Sequence, residues 1–446
     1  MKANRIIISL LLSTACLLAN AQDGAEKALG KFITLSVSHE NGQYRKGENI
    51  KVFADLKDSG YGDLRMDLLY NGIIKESRRL KLEEGTQCIL DTCYRDTRAV
   101  IVSLYSEKVS PHTLDIGFVI APKGFRPGFE APEDLKEYWD GQVSAWKQSQ
   151  PRITATPVKL EGDRTAGYDC WDIEISCPEG RPVRGYLAMP SGAKPASLPI
   201  LIKSCAAGVS GNWCRVSPKE AVNMAEYGGG CMAFVLNAHG FPNDAPLAYY
   251  KELENGELFE YSVRHITTRQ DYYFRTMFLR MERALDYLCT RPEWDRKRVL
   301  AYGESQGGAQ AAALAGIDSR VSAIVLNVPA MVDLGGLRAG RSSGWPKVCE
   351  REPDNLSVDY VAPYFDAALL LHLSKAEIFC DIGLIDRTCP ASGVFAGLNN
   401  ARGKVHVVTY PRRPHHEPYD KAIHEDFSRM ILTPRQEFLG SYLRHK

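Results

Sequence analysis

The chain carries almost no excess charge of either sign. With a formal net charge of +1 over 446 residues, nothing points to nucleic acid or an anionic membrane surface as a partner. It also lacks any C-x-x-C pair, which disfavours a zinc ribbon or a thioredoxin-type redox site. A long apolar run is missing as well: Ile6–Leu18 is too short for a stable membrane span. That run reads instead as part of a leader. Lys2 and Arg5 precede it, and Ala19-Asn20-Ala21 supplies a small-x-small cleavage site before Gln22. Residues 1–21 are therefore expected to be a signal peptide, and the mature protein to be exported, periplasmic or extracellular. Cys16 offers lipoprotein anchoring as the less favoured alternative, because Ser13 stands where a lipobox carries leucine.

Cleavage would leave eleven of the twelve cysteines. An odd number means that at least one is unpaired or bonds another molecule. Cys88 with Cys93, Cys170 with Cys177, and Cys205 with Cys214 are close enough in sequence to bridge locally, whereas Cys231, Cys289 and Cys380 lie in apolar runs and read as buried thiols. Apolar residues make up 44%, as in a globular protein, and the length calls for two or more domains. From Lys31 to about Pro122 the pattern is β-rich. Phe32–Val37, Ile50–Leu56, Leu64–Leu69, Ala99–Tyr105 and Leu114–Ile120 read as strands separated by turn signals such as Glu40-Asn41-Gly42. A small immunoglobulin-like sandwich over residues 22–121 is expected. It holds no nucleophile or metal cluster, so it reads as a packing or spacer module. Pro122–Pro132 is the expected linker into a second domain over residues 122–446.

That second domain alternates helices with apolar strands. After a helix at Leu135–Trp146, the strands are Tyr168–Ile175, Val183–Met189, Pro199–Lys203, Met232–Leu236, Val299–Tyr302, Ala323–Leu326, Glu377–Ile382 and Val405–Tyr410. Helices are expected at Lys219–Tyr227, Tyr272–Leu288 and Ala309–Ala315. Such alternation implies an α/β fold with a mostly parallel sheet covered on both faces. Gly303-Glu304-Ser305-Gln306-Gly307 fits G-x-S-x-G between a buried strand and a helix of small residues, the context of a nucleophile elbow. Serine needs a base, and the base needs an orienting acid. Asp386 follows one strand and Pro414-His415-His416-Glu417 another, so the chain order is serine, acid, histidine, as in α/β-hydrolases.

These motifs resemble carbohydrate esterase family seven, the acetyl xylan esterase and cephalosporin C deacetylase group. The resemblance rests on Tyr272-Tyr273-Phe274-Arg275, Arg291-Pro292-Glu293-Trp294-Asp295, Gly303–Gly308 (GESQGG), Gly383–Pro390 (GLIDRTCP) and His416-Glu417, and covers roughly Pro122 to the C-terminus. It implies a serine esterase that deacetylates carbohydrate, with Ser305 as nucleophile, Asp386 as acid, His416 as base and the Gln306 N–H in the oxyanion hole. His416 is chosen over His415 because Glu417 adjoins it. No metal or organic cofactor is implied, and a homo-oligomer is possible for such a protein. Hydrolysis of another ester or a peptide bond, and glycan binding without catalysis, are the alternatives.

One departure stands out. Where the family carries His-Gly-Tyr, this chain has Cys205-Ala206-Ala207. The Ala207 N–H can still complete the oxyanion hole, because a backbone donor survives side-chain change. His239-Gly240-Phe241 follows the next strand and reads as a decoy. Losing the tyrosine is expected to reshape the acyl or sugar pocket. Restoring it with Ala207→Tyr should therefore change the relative turnover of acetyl, propionyl and butyryl esters; an unaltered chain-length profile would refute this.

Overall fold

The computed structural model describes residues 29–58, 60–109, 113–160, 167–418 and 421–444. The expected signal peptide and Cys16 lie outside the described residues. Strands β1 (Ile33–Val37), β2 (Gln43–Tyr44), β3 (Asn49–Leu56), β4 (Leu64–Tyr70), β5 (Ile73–Leu80), β6 (Gly85–Cys93), β7 (Arg98–Ser106) and β8 (Thr113–Ile120) form two sheets, ordered β1-β3-β6 and β2-β8-β7-β4-β5. All pairings are antiparallel except β2 with β8. Alternate residues such as Val52, Val102 and Ile116 meet in a shared core, as period-two patterning requires. Beyond the strands expected from sequence stand β2, β5 and β6. Their patterns explain the difference: β5 (IIKESRRL) is a nearly fully exposed edge with no apolar face, and β6 (GTQCILDTC) has only two buried residues. Lys75, Arg78 and Arg79 on such an edge discourage pairing with another chain.

The remaining strands, β9 (Ile153–Pro157), β10 (Tyr168–Ile175), β11 (Val183–Pro190), β12 (Leu198–Ser204), β13 (Met232–Leu236), β14 (Trp294–Glu304), β15 (Ala323–Asn327), β16 (Glu377–Gly383) and β17 (Val405–Tyr410), make one nine-stranded sheet. Its order is β17-β16-β15-β14-β12-β13-β11-β10-β9. Six strands from β13 to β17 run parallel, and β11, β10 and β9 extend that edge antiparallel. The continuous apolar runs resolve by parity. In β12, Ile200 and Ile202 pack on one face beneath the helices Tyr273–Thr290 and Gln306–Ile317, while Leu201 packs on the other against Pro218–Ala225 and Thr433–Leu443. Each such side chain contributes roughly 1.5–3 kcal/mol by leaving water, which is why these strands are apolar throughout rather than alternating.

Helices at Leu247–Asn255, Ala367–Leu373, Ala391–Asn400 and Thr433–Leu443 were absent from the sequence reading. All eleven described cysteines are free thiols, so none of the three local bridges is formed. Among the described residues, no helix is long and apolar enough to cross a membrane.

Candidate active site

The elbow begins where β14 ends. Ser305 has φ 52° and ψ −118°, a region that costs a non-glycine residue of order 1–3 kcal/mol and persists only where neighbours enforce it. Here they do: Ser305 N–H donates to the Asn327 carbonyl at 2.9 Å, and the Ser305 carbonyl accepts from Ala309 and Ala330 N–H at 3.1 and 2.9 Å. The flanking glycines make the turn sterically feasible. A Cβ on Gly303 would overlap the Gly307 backbone, and one on Gly307 would overlap the Ser204 carbonyl at the end of β12. The helix Gln306–Ile317 starts immediately behind the serine, which leaves its first N–H groups without intrahelical acceptors.

Two loops at the carboxyl ends of β16 and β17 bring the partners. His415 Nε2 lies 2.9 Å from Ser305 Oγ, and His415 Nδ1 lies 2.8 Å from Asp386 Oδ2. The other carboxylate oxygen, Oδ1, accepts from the Thr388 and Cys389 N–H groups, each at 2.8 Å. Because a carboxylate only accepts, Nδ1 carries the proton, and Nε2 is free to take the one on Ser305. Burial favours the neutral imidazole, but the Asp386 charge, with the Cys389 sulfur, outweighs it and holds the His415 pKa well above the ordinary histidine value.

The histidine at the serine is thus His415, not His416. His416 is exposed and meets the edge of the His415 ring, with centroids 5.4 Å apart. Glu417, which had favoured His416, faces Arg435 at 3.6 Å instead. The cause lies two residues upstream. Arg413 is fully buried and bonds Asp381 of β16 and Asn327 of β15. The chain bends at His415 and His416, and Arg413, Pro414 and His415 are all buried, so the anchored arginine holds the start of a bend that leaves His415 inside and His416 outside.

On the opposite side of the elbow, the Cys205–Gly208 loop follows β12. Its 207–208 peptide is held at both ends: the Ala207 carbonyl accepts from Trp213 Nε1 at 2.8 Å, and Gly208 N–H donates to the Tyr261 hydroxyl at 3.2 Å. Tyr261 in turn donates to Gln306 Oε1 at 2.6 Å. This tyrosine, unmarked in sequence, joins the two segments expected to supply oxyanion donors. His239 supports the same loop. Its Nε2–H donates to the Gly208 carbonyl at 3.0 Å and its Nδ1 accepts from Tyr273 at 2.9 Å; burial, reinforced by Arg280, pushes its pKa down to about 3 and keeps it neutral.

Among the described residues, two groups of side chains have donor atoms close enough for a metal: Asp386, Cys389 and His415, and Glu282, Asp286 and Asp318. In the first, the histidine and aspartate already bond each other. In the second, Lys147 and Arg320 neutralise the carboxylates.

Sheet order and elbow define an α/β-hydrolase fold. The chain belongs to the acetyl xylan esterase family (AXE1), which matches residues 121–338 and 350–428. It is 25% identical over 288 residues to the acetyl esterase Axe7A of Xylanibacter ruminicola, across 63% of this chain and 62% of that protein's length. Among solved structures, the acetyl xylan esterase of Paenibacillus sp. R4 is similar at 26% identity and TM-score 0.59, covering 72% of this chain and 98% of that one. Acetyl xylan esterase 1 of Thermoanaerobacterium sp. JW/SL YS485 shares the fold at 20% identity and TM-score 0.55, covering 70% and 97%. Residues before 121 fall outside the family match.

Three measurements follow from this geometry. His415→Ala should abolish ester turnover while His416→Ala retains most of it, and kcat/KM should fall as pH drops through an apparent pKa above 6.5, because a protonated His415 cannot accept the serine proton. Tyr261→Phe should lower kcat several-fold with little change in KM, since it strands Gln306 Oε1 and the Gly208 N–H, at a cost of about 1–3 kcal/mol for such buried groups; unchanged kinetics would show that the bridge is dispensable.

Proposed function

We propose that this chain is an exported serine esterase that removes acetyl groups from xylan or another oligo- or polysaccharide through an acyl-enzyme. The observation that carries the reading is the hydrogen-bonded series Ser305–His415–Asp386, set at a strained elbow in a chain of the acetyl xylan esterase family. Ser305 Oγ attacks the ester carbonyl as His415 Nε2 takes its proton. Asp386 holds the imidazole in the required tautomer and stabilises the imidazolium. The Gln306 and Ala207 N–H groups receive the oxyanion, at about 3 kcal/mol of transition-state stabilisation per donor in comparable hydrolases. Collapse expels the sugar hydroxyl, which takes the proton from His415. Water, deprotonated by the same ring, then releases acetate and restores Ser305.

A polymeric substrate fits export, for which Lys2, Arg5 and the Ala19-Asn20-Ala21 site argue. It also fits Trp213, which is 65% exposed while its indole N–H is fixed to the Ala207 carbonyl. The ring offers a flat apolar face beside the oxyanion loop, suited to a sugar ring.

The decisive comparison is turnover of an activated acetate ester, acetylated xylo-oligosaccharides and peptide substrates by the native chain and by Ser305→Ala. Acetate release from the sugars should fall by at least about three orders of magnitude in the variant. Peptide cleavage in preference to deacetylation, or equal rates in both proteins, would overturn the reading.

A further inference from the structure

The two sheets before residue 121 are more than a spacer. Strands β7 and β8 are buried on both faces. Val100, Val102, Leu104, Ile116 and Phe118 point into the sandwich core, yet the intervening Ile101, Ser103, Asp115, Gly117 and Val119 are buried as well. What covers this second face is the pair of loops that carry Asp386 and His415.

On the acid loop, Arg387, the neighbour of Asp386, donates to Asp115 Oδ2 at 2.8 Å and to Ser103 Oγ at 3.1 Å. Ser103 Oγ itself donates to the other Asp115 oxygen at 2.6 Å, so the carboxylate is satisfied only with both partners present. Ile385 packs against Leu69 and Ile101. On the base loop, Gly117 N–H donates to the Pro411 carbonyl at 2.8 Å, four residues before His415. Thr409 at the end of β17 donates to the Asn41 carbonyl at 2.7 Å and accepts from Gln43 Nε2 at 3.0 Å. Gly117 links the two loops, since a Cβ there would overlap the Leu384 carbonyl while its own N–H holds Pro411.

We propose that the β1–β8 sandwich is a positioning clamp which, through Asp115, Ser103 and Gly117, fixes the Asp386 and His415 loops relative to each other. Arg387 and Asp115 are positioning residues: they touch no reacting atom and act through Asp386. The proposal rests on the esterase reading of Ser305, His415 and Asp386, but concerns how Ser103, Asp115 and Gly117, which lie outside the family match, hold loops that lie within it. Arg387 is partly exposed, so its attraction to Asp115 is modest in itself; the buried carboxylate gives the pair its leverage, because losing one partner leaves a charge underpaired away from water.

The test uses the full chain with Arg387→Ala, Arg387→Lys, Asp115→Asn and the Arg387→Ala/Asp115→Asn double variant. Two readouts are taken on folded protein: steady-state kinetics on an acetate ester, and the low-field proton NMR signal of His415 Nδ1–H, assigned by its absence from His415→Gln. The clamp predicts that Arg387→Ala broadens or removes this signal. It predicts a kcat lower by about ten- to a hundredfold, as small misplacements of reacting groups produce, with KM moved less than about twofold. Arg387→Lys should recover part of both, and the double variant should be no worse than the worse single one. A lowered Tm with the signal and kcat unchanged would overturn the clamp and leave the sandwich a stabiliser only. Should the native chain show no Ser305-dependent turnover while Arg387→Ala still loses the signal, the esterase reading falls and the clamp stands. If Arg387→Ala does not fold, Arg387→Lys, which keeps the charge without the forked geometry, decides by the same two readouts: both unchanged would overturn the clamp.

Discussion

The close approach of two backbones at Gly303 and Gly307 is the constraint on which the rest of the site depends. No side chain fits between the end of β14 and the first turn of the following helix, and only with that space empty can Ser305 be held at positive φ. The same approach brings Gly307 against the carbonyls of Ser204 and Cys205, which sets the Cys205–Gly208 loop beside Ser305. The helix that follows is buried at every position from Gln306 to Ala315. Glycine and alanine dominate it because it is threaded through the centre of the molecule, between the sheet and the Ala367–Leu373 helix. Bulk there would push the elbow off its strand.

A second constraint is electrostatic. Arg413, Asp381, Arg435 and Asn327 form a buried polar group under the carboxyl ends of β15 and β16. Burying these charges is costly unless they meet one another, so the group forms only when β15, β16, the histidine loop and the C-terminal helix are all in place. Anchoring Arg413 in this group fixes the chain two residues before His415. The imidazole's own bonds to Asp386 and Ser305 complete the placement.

The sequence showed those parts of the fold whose physics is local. Core strands such as Tyr168–Ile175, Met232–Leu236 and Val405–Tyr410 carry continuous or alternating apolar patterns, and their observed limits match the reading. The elbow, too, was legible, since strand, glycines and small-residue helix adjoin in the chain. Exposed β5 left no periodic trace, and the Ala391–Asn400 helix opens in the glycine- and proline-marked stretch after Asp386, where periodicity is hidden. The choice between His415 and His416 failed for a different reason. It was made from a neighbour in sequence, Glu417, whereas the deciding partner, Asp381, lies 32 residues away from Arg413. Tyr261 was invisible on the same grounds: nothing near it in the chain announces Gly208 or Gln306.

The N-terminal strands extend this distinction between local and long-range information. Read alone, Leu114–Ile120 is an ordinary sandwich strand with a polar residue, Asp115, on what should be its solvent face. Its surroundings say otherwise, because Asp115, Gly117 and Val119 are all buried and Val119 belongs to the core of the large sheet rather than to the sandwich. A buried carboxylate that depends on an arginine in another loop is an unfavourable group until that loop arrives. Sandwich and hydrolase therefore complete each other's polar contacts, and neither face is satisfied alone. The strand and turn pattern reads as a packing or spacer module. The aspartate in the middle of it is the residue that ties the module to Asp386.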